Sequence, residues 1–203
     1  MKNKIFMVAL FGPDGSGKST VADLLEHQLS GQGKNVLRYH WRPRVLPSLK
    51  NNYNTASFND PSGLPSRGYL MSLICYVYFF FDFLIAGWFL FASSKSIPAI
   101  IIYERYYFDV LIHPQRYQLK QMPWIARCLS RMLRKPDLTY LLTGTPALIY
   151  ARKPELSIEE IGRQVDLICR EIPLYTTTCE LNTDVNTAAE LACRIYAEIK
   201  IAK

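Results

Sequence analysis

Gly12-Pro13-Asp14-Gly15-Ser16-Gly17-Lys18-Ser19 has the residue types and spacing of a phosphate cradle. Glycines at 12, 15 and 17 admit backbone conformations that a β-carbon resists, so successive amide N–H groups can converge on a phosphate chain. Lys18 is placed to reach the β- and γ-phosphates of ATP, and the Ser19 hydroxyl to ligate Mg²⁺. Asp14, Ser16 and Thr20 complete the stretch expected to line the nucleotide site. The apolar run Ile5 to Phe11 precedes the cradle and Val21, Leu24, Leu25 and Leu29 follow it, which makes the context a strand, a loop and a helix. That helix would aim the positive end of its dipole at the same anion.

A phosphotransferase must also hold a metal, hold an acceptor and neutralise charge on the moving phosphoryl group. Glu104-Arg105-Tyr106 closes an apolar run that begins at Ile97. With the first and third strands adjacent, Glu104 could hold Mg²⁺ or its water, while Arg105 would point over the strand ends, where ligands sit in open α/β sheets. His40-Trp41-Arg42-Pro43 ends a second strand, and the Arg42 guanidinium there could grip a phosphate with two hydrogen bonds. Trp41 could stack on a ligand or pack, and His40 reads as a strand-end residue. Arg152-Lys153-Pro154-Glu155 could close over ATP as part of a mobile lid at about residues 152–158, or be a solvated charge run. Arg163 and Arg170 could contribute from the helix that follows.

The elements that must carry these residues alternate. Strands are expected at Ile5–Phe11, Val36–His40, Ile97–Glu104, Leu138–Thr143 and Cys179–Asn182, with 43–65 as loop. Helices are expected at 19–31, 122–135, 146–152, 157–174 and 187–201, with Ser157 and Glu160 as a capping box. Alternation of this kind implies an α/β fold, helices flanking a parallel sheet with right-handed crossovers. A chain of 203 residues with ordinary apolar and charged content fits one domain. Five scattered cysteines read as small hydrophobes in a reducing compartment, and the short apolar run near the N-terminus leads into the cradle, so a cytoplasmic protein is expected. The net charge of +7 suits anionic ligands, but no basic, aromatic-interleaved stripe points to nucleic acid.

From Tyr69 to Ala92 the only charge is Asp82. The segment is long enough to span a bilayer, but a span would place Asp82 near the hydrocarbon centre at a cost of roughly 3 kcal/mol and would split one sheet across a membrane. It is read as a buried helix that also carries a homodimer interface, with peripheral membrane attachment as the alternative.

Read in order, GPDGSGKST, ERYYFD, PDLTYLLTGTPALIYARK and LNTDVNTAAELACRI resemble the thymidylate kinase family over essentially the whole length. The resemblance implies a three-layer P-loop kinase fold with five parallel strands in the order 2-3-1-4-5, and Mg²⁺-dependent transfer of the ATP γ-phosphoryl group to dTMP. It implies that Asp14 approaches the acceptor sugar, that Arg42 and Arg105 contact the acceptor with Tyr106 beside them, and that Arg152, with Lys153 next to it, supplies the catalytic lid cation. The chain departs from the family on the acceptor side. Glu104 replaces the usual Asp, as in deoxynucleoside kinases, and Asp109 stands in place of a serine. Gln115 and Tyr117 lie near the missing base-reading Gln, and the 69–92 helix lacks an arginine for which only Arg67 could substitute. Three readings therefore stay open: a nucleoside monophosphate kinase, a kinase acting on a hydroxyl acceptor with Asp14, Glu104 or Asp109 as base, and an ATP-binding switch with no small acceptor.

Overall fold

In β1 (Phe6–Phe11) every side chain is buried, and the strand's period of two sends them alternately into two cores. Met7, Ala9 and Phe11 face one side of the sheet, while Phe6, Val8 and Leu10 face the other. Such a strand has to lie in the middle of a sheet covered on both faces. The computed structural model, which describes residues 5–47, 66–93 and 99–201, shows that arrangement. Five parallel strands run in the order β2-β3-β1-β4-β5, with β2 at Asn35–Tyr39, β3 at Ala99–Tyr103, β4 at Leu138–Thr143 and β5 at Thr178–Asn182. The N-terminal end of the expected third strand, 97–98, and most of the expected loop, 48–65, lie outside the described residues.

One face carries α1 (Lys18–Ser30) and α7 (Ala188–Ile201). Leu25 and Leu29 of α1 meet Leu191, Ile195 and Ile199 of α7 over Val8 and Leu10. Truncating a side chain such as Leu10 to Ala in this layer would cost about 2–5 kcal/mol. The opposite face carries α2 (Tyr69–Ser93), α3 (Asp109–Ile112), α4 (Pro123–Met132) and α6 (Ile158–Glu171), with α5 (Pro146–Arg152) leading into α6. The expected helix at 157–174 divides into α6 and a 3₁₀ turn at Ile172–Leu174, where Pro173 lacks the N–H that would continue the ladder. Ser157 caps α6 by accepting from Glu160 N at 3.2 Å, but the Glu160 carboxylate turns to Arg163 and Gln164 instead of closing a box. A full box occurs at α7, where Thr187 Oγ1 accepts from Glu190 N and Glu190 accepts from Thr187 N at 2.7 Å.

Asp82 settles how α2 sits. Its side chain is fully buried and accepts backbone N–H groups from Arg44 at 3.3 Å and Leu46 at 2.7 Å, with the Arg42 guanidinium at 3.4 Å. The lone charge of the apolar helix therefore anchors the chain that follows β2. The same helix, over Tyr69–Phe89, is long and apolar enough to cross a membrane by length and composition, with a mean hydropathy of 1.9.

Candidate active site

The loop between β1 and α1 is shaped by its glycines. Gly15 (φ 87°) and Gly17 (φ 85°) are left-handed, and Gly17 caps α1. Gly12 is required by space, since a β-carbon there would lie 2.6 Å from the Leu142 carbonyl oxygen on β4. Lys18 is buried, and its ammonium donates to the carbonyls of Gly12 and Pro13, both at 2.7 Å. Burial, joined by the Arg105 charge and opposed by Asp14, pushes its pKa down to about 7. The Ser16 hydroxyl is buried in the loop with no partner, a donor and acceptor available to an anion.

Ser19 and Thr20 are exposed in the first turn of α1, and Ser19 Oγ donates to Glu104 Oε2 at 2.5 Å. Glu104 follows β3 directly, and its backbone N–H donates to the carbonyl of Tyr39 at 3.0 Å, which extends the β2–β3 ladder by one bond. Arg38 Nε donates to Glu104 Oε1 at 2.8 Å, and His40 Nδ1 lies 3.2 Å from Oε2. Burial raises the Glu104 pKa, but hydrogen bonds from His40, Ser19 and Arg38 outweigh it and bring it down to about 2. Arg105 Nη1 lies 2.7 Å from His40 Nε2. A guanidinium can only donate, so the imidazole accepts at Nε2 and carries its proton at Nδ1, facing Glu104.

The chain of contacts continues into a second cluster. Arg105 also donates to Asp14 Oδ1, and Arg116 Nη2 donates to Asp14 Oδ2 at 2.7 Å. Burial pushes the Asp14 carboxyl up, but the charges of Lys18, Arg105 and Arg116 hold it well below the usual carboxylate range. Asp109, at the start of α3, accepts from Tyr117 Oη at 2.5 Å and from Arg116 Nη1 at 3.4 Å. The Tyr117 ring stacks on Trp41 with centroids 3.8 Å apart. Arg116 and Tyr117 come from a 3₁₀ turn at Pro114–Tyr117 that ends at Gln118, itself left-handed at φ 56°.

Of the residues read from the sequence, Asp14, Lys18, Ser19, Glu104, Arg105 and Asp109 come together at these strand ends. Others make their contacts outside this network. Arg42 is drawn to Asp82 and lies over the rings of Trp41, Tyr78 and Phe79, because Asp82 is the nearest buried countercharge. Tyr106 is a core residue whose hydroxyl donates to the Arg134 carbonyl at 2.7 Å. Arg67 sits ahead of α2, donating to Cys75 Sγ at 2.7 Å. Arg152 is held on the loop after β5 by Thr183, at 2.7 Å to its carbonyl oxygen. Within the expected lid Lys153 is the nearer cation to the cradle, since a β-carbon on Gly15 would lie 3.0 Å from Lys153 Cβ. Arg163 and Arg170 line a separate cavity of about 250 Å³ with Tyr76, Leu111, Met122 and Leu167.

Sequence reasoning missed Arg38 and Arg116. Arg38 had a usable signal, because alternation along β2 turns Leu37 and Tyr39 to one core and leaves Arg38 on the other face, beside α1. Arg116 had none, since its partner Asp14 lies 102 residues away.

Oxygen donors from Ser19 and Glu104 suit Mg²⁺, which takes one or two carboxylates together with water and phosphate oxygens. The left-handed glycines and the unpartnered Ser16 hydroxyl suit a triphosphate.

No protein-family model matches the chain, and no curated protein matches it by sequence. Solved structures do match in fold. A thymidylate kinase from Candida albicans superposes with a TM-score of 0.67 at 17% identity, covering 98% of this chain and 92% of that one. The YorR protein from Bacillus subtilis, crystallised with phosphorylated GDP, gives a TM-score of 0.61 at 14% identity, covering 96% of each chain. The fold is the thymidylate-kinase-like P-loop kinase fold, with the strand order expected from the sequence.

Proposed function

We propose that the protein is a kinase that uses ATP and Mg²⁺ to phosphorylate a nucleoside monophosphate. The observation that carries this reading is the state of the three carboxylates at the strand ends. Asp14 is engaged by Arg105 and Arg116, Glu104 by Ser19, Arg38 and His40, and Asp109 by Tyr117 and Arg116. A hydroxyl acceptor needs a base poised near neutral pH, whereas Asp14 and Glu104 are held as firmly ionised, weakly basic groups. A monophosphate brings an anionic oxygen and needs no base. dTMP is the first acceptor to test, because a thymidylate kinase shares this fold.

In the transfer an acceptor phosphate oxygen forms a bond to the γ-phosphorus, the bond to the β,γ-bridging oxygen breaks, and its electron pair leaves with ADP. The loop amides and Lys18 would hold the triphosphate, with Mg²⁺ at Ser19 and Glu104 neutralising its charge. Arg105 and Lys153 would stabilise charge on the transferring group. Both lid cations would have to give up a partner to do so, Lys153 its ion pair with Glu155 at 3.1 Å and Arg152 its bond to Thr183. The test is ADP release by purified protein offered dTMP, other nucleoside monophosphates, deoxynucleosides or sugars. Acceleration by a monophosphate supports the reading. Acceleration by a hydroxyl acceptor alone overturns it, as does slow hydrolysis that no small molecule changes.

We infer that the partner of α2 is a second copy of this soluble protein. Leu70, Ile74, Val77, Phe81, Leu84 and Trp88 follow a 4-3-4-3-4 spacing down one side of the helix, with Leu70 and Trp88 more than 70% exposed. That spacing forms a straight seam suited to another helix, and the helix's charge, Asp82, is buried on the other side. A dimer in light scattering, converted to a monomer by Leu84→Glu, is expected. A monomeric wild type that requires detergent or sediments with lipid vesicles would contradict it.

A further inference from the structure

Arg116 is the cation with the least obvious employment in this site. Its side chain is largely buried, it reaches back from the 3₁₀ turn to Asp14 at 2.7 Å, and it leans on Asp109 at 3.4 Å. Arg105 approaches the same Asp14 carboxylate through its other oxygen, and Lys18 stands 3.8 Å from it. The permanently charged Arg105 and Arg116 thus face two carboxylates, and Lys18 adds positive charge to the cluster whenever it is protonated. Arg105 Nε is buried without a hydrogen-bond partner and lies 3.9 Å from Asp109 Oδ2. A buried guanidinium donor left unpaired beside this positive charge points to an anion with several acceptor oxygens.

We propose that Arg116 and Arg105 form a two-guanidinium clamp for the phosphate group of the acceptor, with Asp14 holding both forks in the free protein. A phosphate offers more acceptor oxygens than a carboxylate, so it can take donors from both arginines while Asp14 retains Lys18 and part of one fork. Arg116 then discriminates phosphorylated from unphosphorylated acceptors, and Asp14 competes with the ligand it helps to place. The inference rests on the kinase reading for its biological meaning, but the clamp can be measured without turnover.

The probe is inorganic phosphate, titrated calorimetrically into the protein whose nucleotide loop is first filled with ADP and Mg²⁺. Wild type should bind it. Arg116→Gln should weaken binding at least tenfold with ADP affinity unchanged, and Arg116→Lys, which keeps the charge but loses the fork, should weaken it several-fold. Asp14→Asn should tighten it, a change that a purely structural role for Arg116 would not produce. Phosphate affinity unchanged in Arg116→Lys, or weaker in Asp14→Asn, overturns the clamp, and so does a wild type that fails to bind phosphate. Phosphate binding without any kinase turnover would leave the clamp standing and remove the enzyme, while turnover on a hydroxyl acceptor without phosphate binding would do the reverse.

Discussion

The two edges of the site are built by different means. The edge proposed to hold the nucleotide is made of backbone: one loop between adjacent elements, glycines that bend it, and a lysine tied to its carbonyls. The edge proposed to hold the acceptor is made of side chains brought from the β1–α1 loop, the end of β3, α3 and a 3₁₀ turn, joined by charge. A backbone cradle tolerates few changes but needs little outside support. A side-chain network can be rewired one residue at a time, so the acceptor edge is where a kinase of this fold can change its substrate while keeping its nucleotide.

Removing one residue from each edge breaks this comparison most sharply at Lys18. Lys18→Ala should lower the rate of ADP formation by about 10³-fold, since it removes the ammonium proposed to leave the loop carbonyls for the triphosphate in a water-poor site. Initial rates at saturating ATP would show it, and a variant within tenfold of wild type would mean that the loop does not hold the transferring group. Next in size is Gly12→Ala, whose new methyl must displace the β4 backbone at Leu142. Urea denaturation should report a loss of about 2 kcal/mol, as for other overpacked sites.

The pH dependence sharpens the difference between free and occupied loops. Lys18 is pushed down to about 7 in the free protein and would be raised by a bound triphosphate, so binding takes up a proton above pH 7. ATP affinity should be flat below pH 7 and fall by up to about tenfold per unit above it. The same depressed value has the opposite effect on folding. Between pH 7 and 10.5 the unfolded chain binds more protons, so the free protein's stability gains from Lys18 as pH rises. Calorimetry at pH 6.5, 7.5 and 8.5 checks the first trend. The smallest effect belongs to the acceptor edge. Tyr117→Phe deletes one bond to Asp109 and should raise the acceptor KM about fivefold, worth about 1 kcal/mol, with the KM for ATP unchanged.

The same contrast explains what the sequence reveals. The alternation of elements and the glycine loop are legible because each rests on local patterns, an apolar run, three glycines, a lysine and a helix, whereas the strand order comes through the family resemblance. Glu104 and Arg105 are legible because they end a fully apolar strand, which the structure pairs with β1. Arg42 misleads because its strand-end position suits phosphate as well as it suits Asp82, and only the packing of α2 brings Asp82 within reach. Arg116 stays hidden because a short turn with Pro at its start and a left-handed residue at its end has no periodicity to advertise where its side chain points.

The most direct measurement is a phosphorus NMR time course of ATP, Mg²⁺ and dTMP with the purified protein, with thymidine in a parallel sample. The account predicts ADP and dTDP resonances growing together in the first sample and none attributable to dTMP in the second. Phosphorylation of thymidine with dTMP left untouched, or release of inorganic phosphate alone in both, would contradict it.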